Sequence, residues 1–374
     1  MQTRRQQYQA LFPNEPSFRW DQIQKAVFDH RLGGWIAVST LPSASRAKLE
    51  QNLPWMSVAA HTVLKSAHGD TVKAILELSD KKLIESVLMQ NRRGQWTICV
   101  SSQVGCAMRC AFCATGTMGF IRNLTCDEIV DQYRFWNIYL QQHSFEWASH
   151  ETMEVDDENE DGSPQGLPTG RKRISNIVFM GMGEPLANYD SVKEAVRTIL
   201  EFTDIGPTHI TVSTVGLLPQ LDRLLEDRQW PHVRLAVSLH SADATTRKAI
   251  VPTSYDDFLV KLSDWSRRYL KKFDNRRHHL TFEYVLLSGV NDDEKHANKL
   301  AKFVNGIGQV KVNLIPYNTT GAQFNRSTQS AAERFVAALH AKHIIATIRK
   351  TMGDDIAAAC GQLVTNQGDK EMKR

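Results

Sequence analysis

Three thiols stand within eight residues, in the run Cys106-Ala107-Met108-Arg109-Cys110-Ala111-Phe112-Cys113. A loop with this spacing can turn three sulfurs towards one point, and thiolates select soft metals and iron–sulfur clusters. In a [4Fe-4S] cluster, three protein ligands leave one iron open to a small molecule. A zinc ion completed by a distant fourth ligand is the alternative reading of the same residues. Gly181-Met182-Gly183-Glu184-Pro185 joins glycines, which let a ligand approach the backbone, to a carboxylate that can accept from an ammonium group. Cys360 follows Ala357-Ala358-Ala359 and precedes Gly361. Such small neighbours would let a nucleotide come close to a thiol, although a cysteine among alanines also reads as a small packed hydrophobe.

Such groups need strand ends to hold them. Beyond residue 95, apolar runs at 97–101, 176–182, 209–214, 233–239, 280–287 and 311–317 each precede a helix-like segment, at 126–143, 190–203, 217–227, 256–272, 293–305 and 329–340. Parallel strands need a long crossover each time, so the expected class is α/β, a partial (βα)6 barrel over 95–350, with 344–348 as a further strand. No G-x-G-x-x-G follows the first strand, which argues against a doubly wound dinucleotide fold. Ligands are then expected at the C-terminal ends of the strands. The thiol triple follows the first strand, the glycine run ends the second, Ser213 closes the third, Ser238-Leu239-His240 the fourth and Asn318 the sixth. Residues 1–55 read as a small helical domain, with helices at 20–28 and 44–53. Residues 56–94 read as a β-hairpin linker, and 351–374 as a C-terminal segment carrying Cys360.

The thiol triple after the first strand of a βα barrel resembles the radical S-adenosylmethionine (SAM) superfamily. Further runs narrow the resemblance: Cys99-Val100-Ser101-Ser102-Gln103-Val104-Gly105-Cys106, Gly119-Phe120-Ile121-Arg122-Asn123-Leu124, Met180-Gly181-Met182-Gly183-Glu184-Pro185-Leu186, Ser238-Leu239-His240, Asn313-Leu314-Ile315-Pro316-Tyr317-Asn318 and the stretch from Gly353 to Leu363. Together, in order from about residue 85 to 363, they resemble the RlmN/Cfr family of RNA adenine methyltransferases, closest to its RlmN branch.

The resemblance implies a radical SAM enzyme that methylates C2 of an adenosine in 23S rRNA, and an adenosine in a tRNA anticodon loop. C8 methylation, as in the Cfr branch, is the competitor within this chemistry, and a zinc-containing RNA-binding protein is the competitor outside it. Cys106, Cys110 and Cys113 would bind the [4Fe-4S] cluster. Gly183, Glu184, Ser213, Ser238, Leu239, His240 and Asn318 would bind SAM. Cys360 would carry a methyl group taken from a first SAM, a radical derived from a second would activate it, and Cys99 would resolve the protein–RNA adduct through a transient disulfide with Cys360. Glu85 resembles the proton acceptor, one residue further from Cys99 than the pattern expects. The helical domain would assist RNA binding, and an electron donor such as flavodoxin is implied. Cys126 matches no functional cysteine and reads as packing near a helix start.

Six cysteines in 374 residues exclude a disulfide scaffold. No apolar stretch reaches the ~18 residues of a membrane span, and Arg4-Arg5 is followed by polar residues rather than a leader's apolar region. A cytoplasmic monomer is expected. The chain has 45 Lys and Arg against 41 Asp and Glu, a net charge of +4. Eight of those acids lie between Glu146 and Asp161, inside an acidic insertion expected to be disordered over 146–170, so 33 acids against 45 bases leave the rest at +12. An RNA substrate needs a basic face. Arg92-Arg93, Arg171-Lys172-Arg173 and the run from Arg267 to His279 are the candidates.

Overall fold

The computed structural model describes residues 2–143, 172–273 and 280–364; the acidic insertion lies outside them, as do Arg171, residues 274–279 and 365–374. Helices α1 (Arg4–Leu11), α2 (Ser17–Phe28) and α3 (Ser43–Asn52) come first. Strands β1 (Val58–Lys65), β2 (Thr71–Leu78), β3 (Leu83–Gln90) and β4 (Trp96–Cys99) follow as an antiparallel meander. A clasp of β5 (Gln103–Gly105) and β6 (Phe120–Asn123) brackets α4 (Ala114–Thr117). Then α5 (Cys126–Gln142), β7 (Ile174–Phe179), α6 (Tyr189–Phe202), β8 (Ile210–Thr214), α7 (Leu218–Glu226), β9 (Arg234–Ser238), α8 (Ala244–Ile250) and α9 (Phe258–Lys272) alternate. Strand β10 (Leu280–Leu286), α10 (Glu294–Asn305), β11 (Lys311–Pro316), α11 (Gln329–His340) and β12 (Ile345–Ile348) complete the repeat.

All the long strands form one ten-stranded sheet in the order β1-β2-β3-β4-β7-β8-β9-β10-β11-β12, parallel from β4 onwards. Its two edges do not pair, so the barrel is partial, as expected, with β12 as the seventh parallel strand. Central strands such as β10 are buried along nearly their whole length, because helices cover one face and the barrel interior the other. The crossover helices begin on side-chain caps that satisfy their first amides: Thr125 for α5, Asp243 for α8, Asp293 for α10 and Thr328 for α11. Two features depart from expectation. Residues 58–90 are no separate hairpin but an antiparallel wing continuous with the barrel sheet. The thiol triple does not directly follow β4, since the clasp intervenes and closes the loop at its base, the Cys106 amide donating to the Gly119 carbonyl at 2.8 Å.

The N-terminal helices bury a core of their own around Tyr8, Ile23, Val27, Trp35 and Leu49. They dock on α5 through buried charge: Arg4 reaches Asp131 of α5 at 2.6 Å, the Ser57 amide and hydroxyl donate to the same carboxylate, and Arg134, paired with Asp131 within α5 at 2.6 Å, donates to the Val27 and Trp55 carbonyls. Burial alone would raise the Asp131 pKa, but the two guanidiniums outweigh it and hold the carboxyl below its ordinary value. Asp131→Asn leaves two buried cations without their shared partner and should cost about 3–5 kcal/mol, read as a lower urea midpoint. An unchanged midpoint would refute this account of the docking.

Candidate active site

At the C-terminal ends of the strands, one cavity of about 140 Å³ is lined by Cys99, Met180, Asn318, Arg349, Lys350 and Cys360, among others. Cys99 ends β4 and Cys360 lies in the C-terminal segment, so the fold brings 261 positions of sequence separation onto one wall. Cys99 is buried, and that burial, with Cys360 nearby, pushes its thiol up to about 12. Cys360 reaches solvent at the cavity surface, yet the protein around it removes much of its water and pushes its thiol up to about 11. Arg349 opposes both shifts.

The cysteine loop packs directly against the segment that carries Cys360. The Ala114 amide donates to the Gly361 carbonyl at 2.8 Å, the Thr115 hydroxyl to Leu363 at 2.5 Å, and the Thr320 hydroxyl to Phe112 at 3.2 Å. Burial raises all three thiols of the loop, Cys106 to about 12, and the charges of Cys106 and Cys113 add to the rise at Cys110. As free thiols they are therefore protonated. Among the described residues, no three His, Cys, Asp or Glu side chains are already grouped as a ready metal site. The donor chemistry nonetheless fits an iron–sulfur cluster, because a buried cation faces the loop. Arg247 is 1% exposed, acts on Cys110, and keeps a buried Nε without a partner. Its other nitrogens donate to the carbonyls of Val215, Ser238 and Leu239, tying β8 to β9. Sequence reasoning missed Arg247, and its signal was Asp243, whose cap starts the short helix that aims it inward.

Glu184 is buried beside the loop. One oxygen accepts from the Leu186 amide at 3.0 Å and the other from Val215 at 2.7 Å, and with the Thr214 hydroxyl as a third donor the carboxylate keeps room for one more. Burial pushes its carboxyl up to about 7 from an ordinary 4.5. The folded state thus resists ionising this group, so the cost is absent below about pH 4.5 and complete above about 7. Relative to Glu184→Gln, the wild type should lose on the order of 3 kcal/mol of stability between pH 4 and 8. Denaturant melts of both proteins across that range check this, and parallel pH profiles would contradict it.

The glycines of this run also answer a need of the chain itself. A side chain at Gly181 would lie 2.6 Å from the Val100 carbonyl, and one at Gly183 (φ +99°) 2.5 Å from Gln103. The position a Cβ would take is thus filled by the chain itself. Ser213 and Ser238 are half-buried near the ends of β8 and β9, and Leu239 is wholly buried. His240 is buried with φ +56°, and its Nδ1 accepts from the Val285 amide at 3.1 Å, which assigns the remaining proton to Nε2. Burial and Arg247 lower its pKa to about 3, so it stays neutral while its ring meets Phe112 of the cysteine loop edge-on at 4.7 Å. The Asn318 amide donates to the Cys360 carbonyl at 3.0 Å. Glu85 is not on the cavity wall; its carboxylate pairs with Lys73 at 3.1 Å and accepts from the Val364 amide at 3.1 Å.

Several side chains are structural. Arg122 bridges Asp80 and Glu128, and Asn123 accepts from Gln103. Cys126 is the first residue of α5 and packs on the main core. The described parts of the three basic runs lie away from the strand ends that carry the cysteines. The turn carrying Arg92 and Arg93 precedes β4, Lys172 and Arg173 precede β7, and the last turn of α9 leads to β10. All therefore sit towards the N-terminal ends of the strands. Arg267 and Arg268 are moreover paired with Asp264, and Arg268 also with Asp222. The cations on the Cys360 cavity are instead Arg349 and Lys350.

A family model described as the Radical SAM superfamily matches residues 168–301, a span that starts after the thiol triple. A protein of Syntrophobacter fumaroxidans named dual-specificity RNA methyltransferase RlmN is 40% identical over 95% of this chain and 94% of its own length. One of the same name from Anaeromyxobacter dehalogenans is 39% identical over 96% and 89%. The crystal structure of a radical SAM methyltransferase from Sphaerobacter thermophilus covers 97% of both chains with a TM-score of 0.81 at 35% identity.

Proposed function

Since this chain belongs to the RlmN family of radical SAM RNA methyltransferases, we propose that it methylates C2 of an adenosine in 23S rRNA, and of an adenosine in tRNA, through a methyl group carried on Cys360. The observation that supports this most is the shared wall: a carrier thiol and a resolving thiol, Cys360 and Cys99, line one cavity. Adenine C2 is electron-poor, so an electrophilic methyl group would not be accepted there, whereas a carbon radical can add to it. A thiol serves as the carrier because sulfur first takes a methyl by displacement and can later be released from the ring-bound carbon: as Cys99 bonds to the Cys360 sulfur the carbon–sulfur bond breaks, the two sulfurs are oxidised to a disulfide and the carbon, reduced, takes up a proton.

When bound, a [4Fe-4S] cluster with SAM supplies the one-electron cleavage that starts the radical chemistry, driven by a donor of the flavodoxin kind. Cys106, Cys110 and Cys113 would hold the cluster, and Arg247 would offset its charge. Glu184 would accept from the ammonium group of SAM, with Gly183, Ser213, Ser238 and Leu239 beside it at the strand ends. His240 would keep the cysteine loop in place through Phe112, and Asn318 would do the same for the Cys360 backbone. At about 140 Å³ the cavity is smaller than the ~300 Å³ of an ordinary small-molecule pocket, a size suited to one planar base rather than a whole cofactor. The target adenosine would be flipped into it, with Arg349 and Lys350 facing the RNA. The proton leaving the ring carbon needs an acceptor, and Glu85 would have to release Lys73 and Val364 to serve.

Nucleoside mass spectrometry of 23S rRNA and tRNA after anaerobic reaction tests the proposal. We expect 2-methyladenosine in both; 8-methyladenosine alone would overturn the C2 assignment. Reconstitution that yields bound zinc, with no iron and no cleavage of SAM, would overturn the radical reading altogether.

A further inference from the structure

We propose that the buried Lys73–Glu85 ion pair is a positioning clamp that fixes the Cys360 segment against Cys99. The pair acts on both flanks of Cys360. Lys73 Nζ donates to the Ala357 carbonyl at 3.0 Å, three residues before Cys360, while Glu85 Oε2 accepts from the Val364 amide at 3.1 Å, four residues after it. The two side chains meet each other at 3.1 Å and are almost wholly buried.

The segment cannot hold this course alone. It contains one three-residue 3-10 turn, and Gly353, Ala357 and Gly361 all take positive φ. At Ala357 that conformation is costly for a residue with a Cβ, so outside contacts must hold it there. Other tethers come from the cysteine loop, from Asn318 and Thr319, and from the β1–β2 turn, where the Ala67 amide donates to Asp355 at 2.7 Å. Lys73 and Glu85 stand on β2 and β3, and β3 is the strand that holds Cys99: Val87 pairs with Cys99 in the ladder, and the Ser86 hydroxyl donates to the Cys99 carbonyl at 2.8 Å. One rigid wing therefore holds one thiol through its ladder and the other through a charge pair. The clamp sets the distance that disulfide formation between Cys99 and Cys360 must span.

This inference rests on the proposed function only in taking Cys360 and Cys99 as the working thiols. The test compares the full-length wild type with Lys73→Met and Lys73→Arg. Amide exchange in the peptide 357–364 should rise at least tenfold in Lys73→Met, with exchange in α6 unchanged, and Lys73→Arg should return it to within twofold. Diamide-driven formation of the Cys99–Cys360 disulfide should slow at least fivefold in Lys73→Met. With RNA, kcat should fall at least tenfold while KM stays within twofold. Unchanged exchange over 357–364 would overturn the clamp, as would an unaffected disulfide rate. If the wild type transfers no methyl group, the proposed function fails, while the exchange and disulfide results still judge the clamp. Should Lys73→Met not fold, Val364→Pro removes only the amide donor and should move exchange over 357–363 and the disulfide rate in the same directions; no change in either would overturn the proposal.

Discussion

Cys360→Ala should reduce methyl transfer to RNA to background while leaving the iron content of the reconstituted protein unchanged. The residue lines the cavity but does not belong to the cysteine loop, and alanine suits a run already made of alanines, so folding should tolerate the change. What disappears is the sulfur that would take a methyl group by displacement and release its carbon as a disulfide forms with Cys99. Cys99→Ala is the complementary case. Methyl transfer should begin and then stall, with a protein–RNA adduct accumulating that a denaturing gel resolves. Free methylated RNA from either variant would remove the thiol pair from the mechanism. Both thiols carry pKa values well above neutrality, Cys360 at about 11 and Cys99 at about 12, because burial disfavours the thiolate. The first displacement should accordingly quicken as pH rises, a trend that vanishes with Cys360.

Cys110→Ala should abolish iron binding as completely as Cys360→Ala abolishes transfer. Cys110 stands in the middle of the triple, its thiol raised by burial and by Cys113 and Cys106, with Arg247 facing it. A loop that must gather three sulfurs cannot replace one of them, since Cys126 is the first residue of α5 and packs on the main core. Iron analysis and the visible absorbance of the reconstituted protein should fall to background in Cys110→Ala and stay at the wild-type level in Cys126→Ala. Full iron occupancy in Cys110→Ala would show that other residues hold the metal.

The barrel was legible because buried parallel strands read as apolar runs and their helices as amphipathic ones, so all six expected strands lie within a few residues of their observed ends. What escaped was decided by tertiary contact. Helix α8 is seven residues long and carries a buried Arg247, so it lacks the apolar stripe that marks a core helix. The clasp of β5 and β6 is too short to show a period. The glycines at 181 and 183 spell a ligand loop by composition, yet which neighbour needs the space depends on residues 100–103 folding beneath them. The basic runs meet a similar limit: charge is visible in sequence, but the end of the barrel it occupies follows from strand direction. The meeting of Cys99 and Cys360 came from family resemblance, since no local pattern links positions so far apart.

The late docking of residues 353–364 also orders events in time. Val364 is tied to Glu85, and Leu363 to Thr115, across separations of 279 and 248 residues. A chain made from its N-terminus can form the wing, the clasp and most of the barrel before that segment exists. Until it arrives, the cysteine loop stands open along the side that Gly361 and Leu363 will cover. The growing chain thus presents its three loop cysteines with less cover than the finished protein gives them, and the Cys360 thiol is among the last parts to be put in place.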